Sequence, residues 1–145
     1  MTNLEQSYAQ YDQARAAIQR IRTRREELKP IVGAWQRSQD SLRYDVPEPV
    51  EARDEYARLG AELYAAANGF EELQQQIARL EGLALRAMEM IASDTASIEQ
   101  LERSTHPIAP EQAEQIRRWR ANRQRELDHI GTPRAMAAAP EQVAA

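Results

Sequence analysis

YARLGAELYAAANGFEELQQQIARLEGLALRAMEMIASDTASIEQL, residues Tyr56 to Leu101, is the stretch whose reading decides the fold. One set of positions in it reads Tyr56, Leu63, Phe70, Ile77, Ala84, Ile91, Ile98. A second set reads Leu59, Ala66, Leu73, Leu80, Ala87, Asp94, Leu101. The apolar positions alternate three and four residues apart through consecutive heptads, and Asp94 is the one polar failure. A repeat of 3.5 residues is what keeps a helix seam facing a partner helix over such a length, so the pattern predicts coiled-coil packing. At about 1.5 Å rise per residue, a helix over 50–103 spans roughly 80 Å.

Two places inside this stretch compete with continuity. Asn68-Gly69 is a common helix stop, because Gly accepts a left-handed backbone at no steric cost. Ser93-Asp94-Thr95 offers cap-type side chains that could end one helix and start another. The seam crosses both without losing phase, and a turn has no reason to preserve register. One long helix is the expectation.

Working outward, prolines punctuate the chain at Pro47 and Pro49, at Pro107 and Pro110, and at Pro133 and Pro140. Upstream of the first pair, Leu4, Tyr8, Tyr11, Ala14, Ile18, Ile21, Leu28, Val32 and Trp35 fall at helical spacing, with Arg25 as a polar intruder. They predict a first helix over 3–38, kinked or divided near Lys29-Pro30, since an interior Pro removes a hydrogen bond and costs about 3 kcal/mol. The segment 39–48 reads as a loop. Downstream, Ala113, Ile116, Trp119, Leu127 and Ile130 predict a third helix over 110–130, stopped by Gly131 and Pro133. Residues 132–145 are Ala-rich without an apolar stripe and read as a flexible tail.

The fold expected is therefore all-α: an elongated antiparallel coiled-coil or helical bundle, with one long central helix and two flanking arms, in a single domain over 1–131. Short loops make neighbouring helices antiparallel. Charge agrees. Residues 3–38 carry seven basic and four acidic side chains, net +3, whereas 50–103 carry five basic and eleven acidic, net −6. The run Arg20, Arg22, Arg24, Arg25, Lys29 supplies most of the positive arm.

Composition narrows the function. The 145 residues contain no Cys, which removes disulfides, thiolate metal sites and thiol nucleophiles. His106 and His129 stand apart and make no metal ligand set. No Gly-rich phosphate loop and no nucleophile motif occurs, and carboxylates such as Glu26, Glu27, Glu71 and Glu72 read as solvated helix faces. No catalytic residue, metal or cofactor is expected, and the chain reads as no enzyme. The opening residues Met1 to Gln6 lack the features of a signal peptide. No run approaches the ~18 apolar residues a membrane span needs. The net charge of −4 gives no overall attraction for nucleic acid or an anionic membrane. Eighteen of the 19 basic residues are Arg, a codon-usage hint of a GC-rich bacterial or phage genome.

Around Leu83, Leu85, Met88, Met90 and Ile91 the central helix is apolar on nearly every face. A helix apolar all round is buried all round, so these residues predict a self-association or partner surface unless the two arms meet over them. Tyr8, Tyr11 and Trp35 read as core, with interface anchoring as the alternative. The expected role is that of a structural or assembly protein acting through coiled-coil contacts. Candidates are a phage virion component or a small scaffold of a bacterial assembly, in the cytoplasm or in a particle built there, with a protein partner or its own copies. A small phage-type inhibitor of a host enzyme is a further candidate.

Residues Gln115 to Arg123, QIRRWRANR, carry the nucleic-acid alternative. With Trp119 three residues before Asn122-Arg123, the stretch resembles a homeodomain recognition helix. That resemblance implies a regulator whose Arg117, Arg118, Arg120, Arg123 and Arg125 touch nucleic acid. The chain departs from that family in placing one very long heptad helix upstream, where two short helices belong. Arg120 also stands where an aromatic is expected. Four acidic residues against five Arg leave 110–130 at net +1. The competing reading packs Trp119 on the central helix while the arginines pair with its acids.

Overall fold

The computed structural model describes residues 1–134. Among them three helices are present: α1 (Asn3–Asp40), α2 (Val50–Glu102) and α3 (Ala109–Ile130). The protein is an all-α helical bundle. The bounds lie within two residues of those expected. The helices build two compact units, Ala9–Gln74 and Met1–Tyr8 with the described residues from Gln75 onward. Residues 135–145, most of the expected tail, lie outside the described residues.

The long helix is continuous. α2 passes through Asn68-Gly69 and through Ser93-Asp94-Thr95 without interruption. Its expected seam is the set of positions that burial picks out: Leu59, Ile77, Leu80, Ala84, Ala87, Asp94 and Ile98 are buried, and the intervening seam residues are half-buried. Thr95 turns its hydroxyl back to the carbonyl of Ile91 at 2.9 Å, a bond made inside the helix and not at its end.

α1 is one helix across Pro30, so of the two expected outcomes, a kink or a division at Lys29-Pro30, the division does not occur. Pro30 sits on the exposed side, where the Glu26 carbonyl left without its usual donor can be met by water. The helix then runs to Asp40 and closes in a Schellman motif. Arg43 N–H donates to the Ser38 carbonyl at 2.8 Å, and Leu42 N–H to that of Gln39 at 3.0 Å. Leu42 holds the left-handed conformation of that motif, at φ 60°.

In the unit Ala9–Gln74, α1 and α2 run antiparallel. As α1 advances, its contacts on α2 retreat: Tyr11 lies 4.7 Å from Phe70, Arg25 lies 4.2 Å over Tyr56, and Trp35 lies 4.4 Å under Arg53. Arg25, the expected intruder, fills a seam position. Its guanidinium stacks on the Tyr56 ring and lies against Gly60, where a Cβ would come within 3.3 Å of it. The π face offsets part of the cost of a half-buried cation. The opposite charges of the helices meet where Arg24 grips Glu55 through both carboxylate oxygens at 2.7 and 3.0 Å.

In the other unit, α3 runs antiparallel to the second half of α2. Arg117 meets Glu102 at 2.7 Å, Arg120 meets Thr95 at 3.3 Å, and Arg123 meets Asp94. The start of α1 is secured by a capping box. Thr2 N–H donates to the Glu5 carboxylate at 2.7 Å, and Glu5 N–H to the Thr2 hydroxyl at 3.2 Å. The end of α3 is secured by Gly131, whose N–H reaches the Leu127 carbonyl at 2.7 Å. Its φ of +97° and the Thr2 side chain, which any Cβ there would strike, both require glycine.

Tyr8 binds the pieces of this unit together. Its hydroxyl donates to Glu81 and accepts the Arg134 N–H at 3.1 Å, while the Arg134 guanidinium lies 4.3 Å over its ring. At the start of the segment expected as a flexible tail, Pro133 is buried and Arg134 is engaged.

Candidate interaction surface

The five residues expected to form an interface divide in two. Leu83 and Leu85 are 48% and 39% exposed. Met88, Met90 and Ile91 are half-buried. Ala84, between the two leucines in sequence, is fully buried. Adjacent helix positions diverge by about 100° around the axis. Leu83 and Leu85 therefore flank a closed seam on its two sides, and the neighbouring helices cover the seam without covering its flanks. Large exposed aliphatics beside half-buried methionines supply an apolar, adaptable surface.

The arginines of α3 are engaged within the chain. Arg117 bridges Glu102 and Glu114, and Arg118 stands 3.8 Å from Glu114. Arg120 donates to Thr95, Arg123 pairs with Asp94, and Arg125 donates to Asn122. All five have a partner within the chain. The Glu102 and Glu114 carboxylates beside Arg117 hold its guanidinium protonated beyond the ordinary arginine range.

The same helix corrects the expected packing of Trp119, which is 48% exposed. The stripe of α3 that turns inward is Ala109, Ala113, Ile116, Arg120, Arg123, Leu127 and Ile130, a regular alternation of four and three residues. Trp119 lies one position off it. Register turns Trp119 outward and brings Arg120 and Arg123 onto α2.

Asp94 and Arg123 were not foreseen as a pair. The signal was available: the single polar residue in the seam of α2 has a counterpart in a seam position of α3. Side-chain exposures of 12% and 24% make this the most buried ion pair among the described residues. Also unforeseen is the apolar side of the connection between α1 and α2, where Leu42 and Tyr44 are 71% and 72% exposed. Of the three aromatics weighed as core or anchors, Tyr8 is buried and Tyr11 and Trp35 are half-buried against Phe70 and Arg53.

Carboxylates show the electrostatics of the helix contacts. Glu55 lies below the usual carboxylate range because Arg24 hydrogen-bonds it. Glu5 is lowered by the Thr2 N–H of the capping box. No group of three or more metal-ligating side chains occurs among the described residues, and no helix there is long and apolar enough to cross a membrane. Comparison of the chain with protein-family models, curated proteins and solved structures finds no match.

Proposed function

We propose that this chain is a non-enzymatic assembly protein that works through helix-to-helix contacts with a protein partner, and that Leu83 and Leu85 are the centre of the contacting surface. The supporting observation is their exposure on either side of a closed seam. A helix that spends leucine on faces its own neighbours leave open gains from a further helix, by about 25 cal/mol per Å² of apolar surface covered. A component of a phage particle or a small scaffold of a bacterial assembly fits this reading, located in the cytoplasm or in the particle assembled there. The nucleic-acid alternative is weakened by the engagement of all five α3 arginines inside the chain.

The test is a pull-down from a host lysate with wild-type chain and with Leu83→Glu/Leu85→Glu, both checked for equal helicity. A defined partner retained by the first and lost by the second supports the assembly role. If that partner is an enzyme whose activity falls on binding, the inhibitor reading takes its place. Capture that ignores the double substitution removes this surface from the function. A gel shift at low salt that responds to Arg118→Glu/Arg120→Glu would instead favour the nucleic-acid regulator.

A further inference from the structure

In the unit Ala9–Gln74 the two edges of the helix pair are not alike. On one edge Arg24 is held by Glu55. On the other, Arg15 and Arg22 stand one heptad apart, about 10.5 Å along α1. Among the described residues neither has a hydrogen-bond or ion-pair partner. With Ile18 and Gln19 they line an open groove of about 420 Å³, completed by Ala67 and the Tyr11–Phe70 ring pair. The α2 residues that line the groove, Ala67 and Phe70, carry no acid to answer these cations.

Beside the groove α2 presents the complementary chemistry, also unanswered. Tyr64, Ala67 and Glu71 share one stripe at spacings of three, four and seven residues. Tyr64 is 73% exposed, the highest figure for an aromatic side chain among the described residues. Three aromatics elsewhere lie under a guanidinium: Tyr56 under Arg25, Trp35 under Arg53 and Tyr8 under Arg134. Among the described residues Tyr64 has no such cover and Glu71 has no ion-pair partner.

We propose that this face is completed by a second copy of the chain, whose Tyr64 and Glu71 meet Arg15 and Arg22 across a two-fold axis. Cations on one helix and an aromatic with a carboxylate on the other make the face self-complementary, as an isologous contact requires. The core of the unit points the same way. Its buried apolar side chains are Ile18, Leu28 and Leu59, because each helix of a lone pair buries a single stripe. Laying one pair on another gives the four-helix arrangement in which such stripes are ordinarily buried from several sides. The proposal uses a face distinct from Leu83 and Leu85, so the two readings stand or fall separately.

Sedimentation equilibrium of the full chain tests it. The wild type is expected to be a dimer that weakens as ionic strength rises. Arg15→Glu/Arg22→Glu should raise its Kd about tenfold or more, equivalent to about 1.4 kcal/mol, with unchanged far-UV helicity. Tyr64→Ala should act in the same direction. Glu71→Arg should weaken the homodimer, and mixing it with the Arg15→Glu/Arg22→Glu chain should restore association as a heterodimer. A wild type that stays monomeric at every concentration overturns the proposal. So does a dimer that Arg15→Glu/Arg22→Glu leaves intact, or one lost only in Leu83→Glu/Leu85→Glu. Should the glutamates disturb folding, Arg15→Gln/Arg22→Gln gives the same reading without a charge reversal.

Discussion

Arg123 of α3 closes on Asp94 of α2, so the one polar residue in the long seam is answered by a cation from the facing helix. An ion pair removed from water is expensive to leave half made and adds little when whole. Asp94→Ala, which strands the half-buried guanidinium, is expected to cost about 1–3 kcal/mol. Asp94→Leu/Arg123→Leu should recover that loss and can exceed the wild type by about 1–4 kcal/mol. Urea unfolding of the singles and the double measures it. Equal stability of Asp94→Ala and wild type would mean that the pair does not anchor α3.

Gly69 and Gly82 lie inside α2, and nothing stands within 4 Å of a Cβ built on either. Alanine should therefore stabilise each site by about 0.5–1 kcal/mol through helix propensity alone. The sign at Gly69 is diagnostic. A turn at Asn68-Gly69 would need a left-handed glycine, and alanine would then lower the melting temperature.

Leu42 pays the steric cost of a left-handed residue in the Schellman motif. Leu42→Gly removes that cost and should raise stability by about 1 kcal/mol. A fall in stability on denaturant titration would show that the exposed leucine side chain makes contacts worth more than the backbone relief.

Gly131 is the reverse case. Gly131→Ala combines a φ of +97° with a collision on Thr2, and a loss of about 1–3 kcal/mol is expected. Thr2→Gly in the same chain removes the collision and should return part of the loss. If calorimetry finds no difference between Gly131→Ala and wild type, the junction of α1 and α3 is looser than described.

Tyr8 carries a pH signature. Burial first, and then its bond to Glu81, push its phenol above the ordinary tyrosine range. The folded-state value is raised, so the contribution to stability is complete below about pH 10, the unfolded value. It is lost as pH rises through the folded value. Tyr8→Phe should cost about 1–2 kcal/mol near neutrality and flatten the alkaline limb of the thermal stability curve. An unchanged limb would place the alkaline transition elsewhere.

How far the residues alone disclose this molecule differs by level. The seam from Tyr56 to Leu101 is visible because a 3.5-residue period over many turns has one physical solution. The helix ends are nearly as visible, through Pro49, Pro110 and Gly131. Pro30 does not divide α1 because its cost falls on a solvent-facing turn of a helix held by its seam. Trp119 misleads because register, not hydrophobicity, decides which α3 residues face α2. The groove at Arg15 and Arg22 has no linear signature. It exists because the residues of another helix that line it beside the two arginines, Ala67 and Phe70, carry no charge, and that is a property of pairing.

Thr2 rests on Gly131, so the first turn of α1 and the last of α3 are spatial neighbours although the chain visits them at its two extremes. Order along the polypeptide is then a convention that the packing does not need. A circular permutant opened in the exposed connection at 41–49, with Arg134 joined to Met1 by a short flexible linker, retains the capping box, the glycine stop and all three helices. Such a molecule would free both new termini at the far end of the α1–α2 hairpin for attaching reporters.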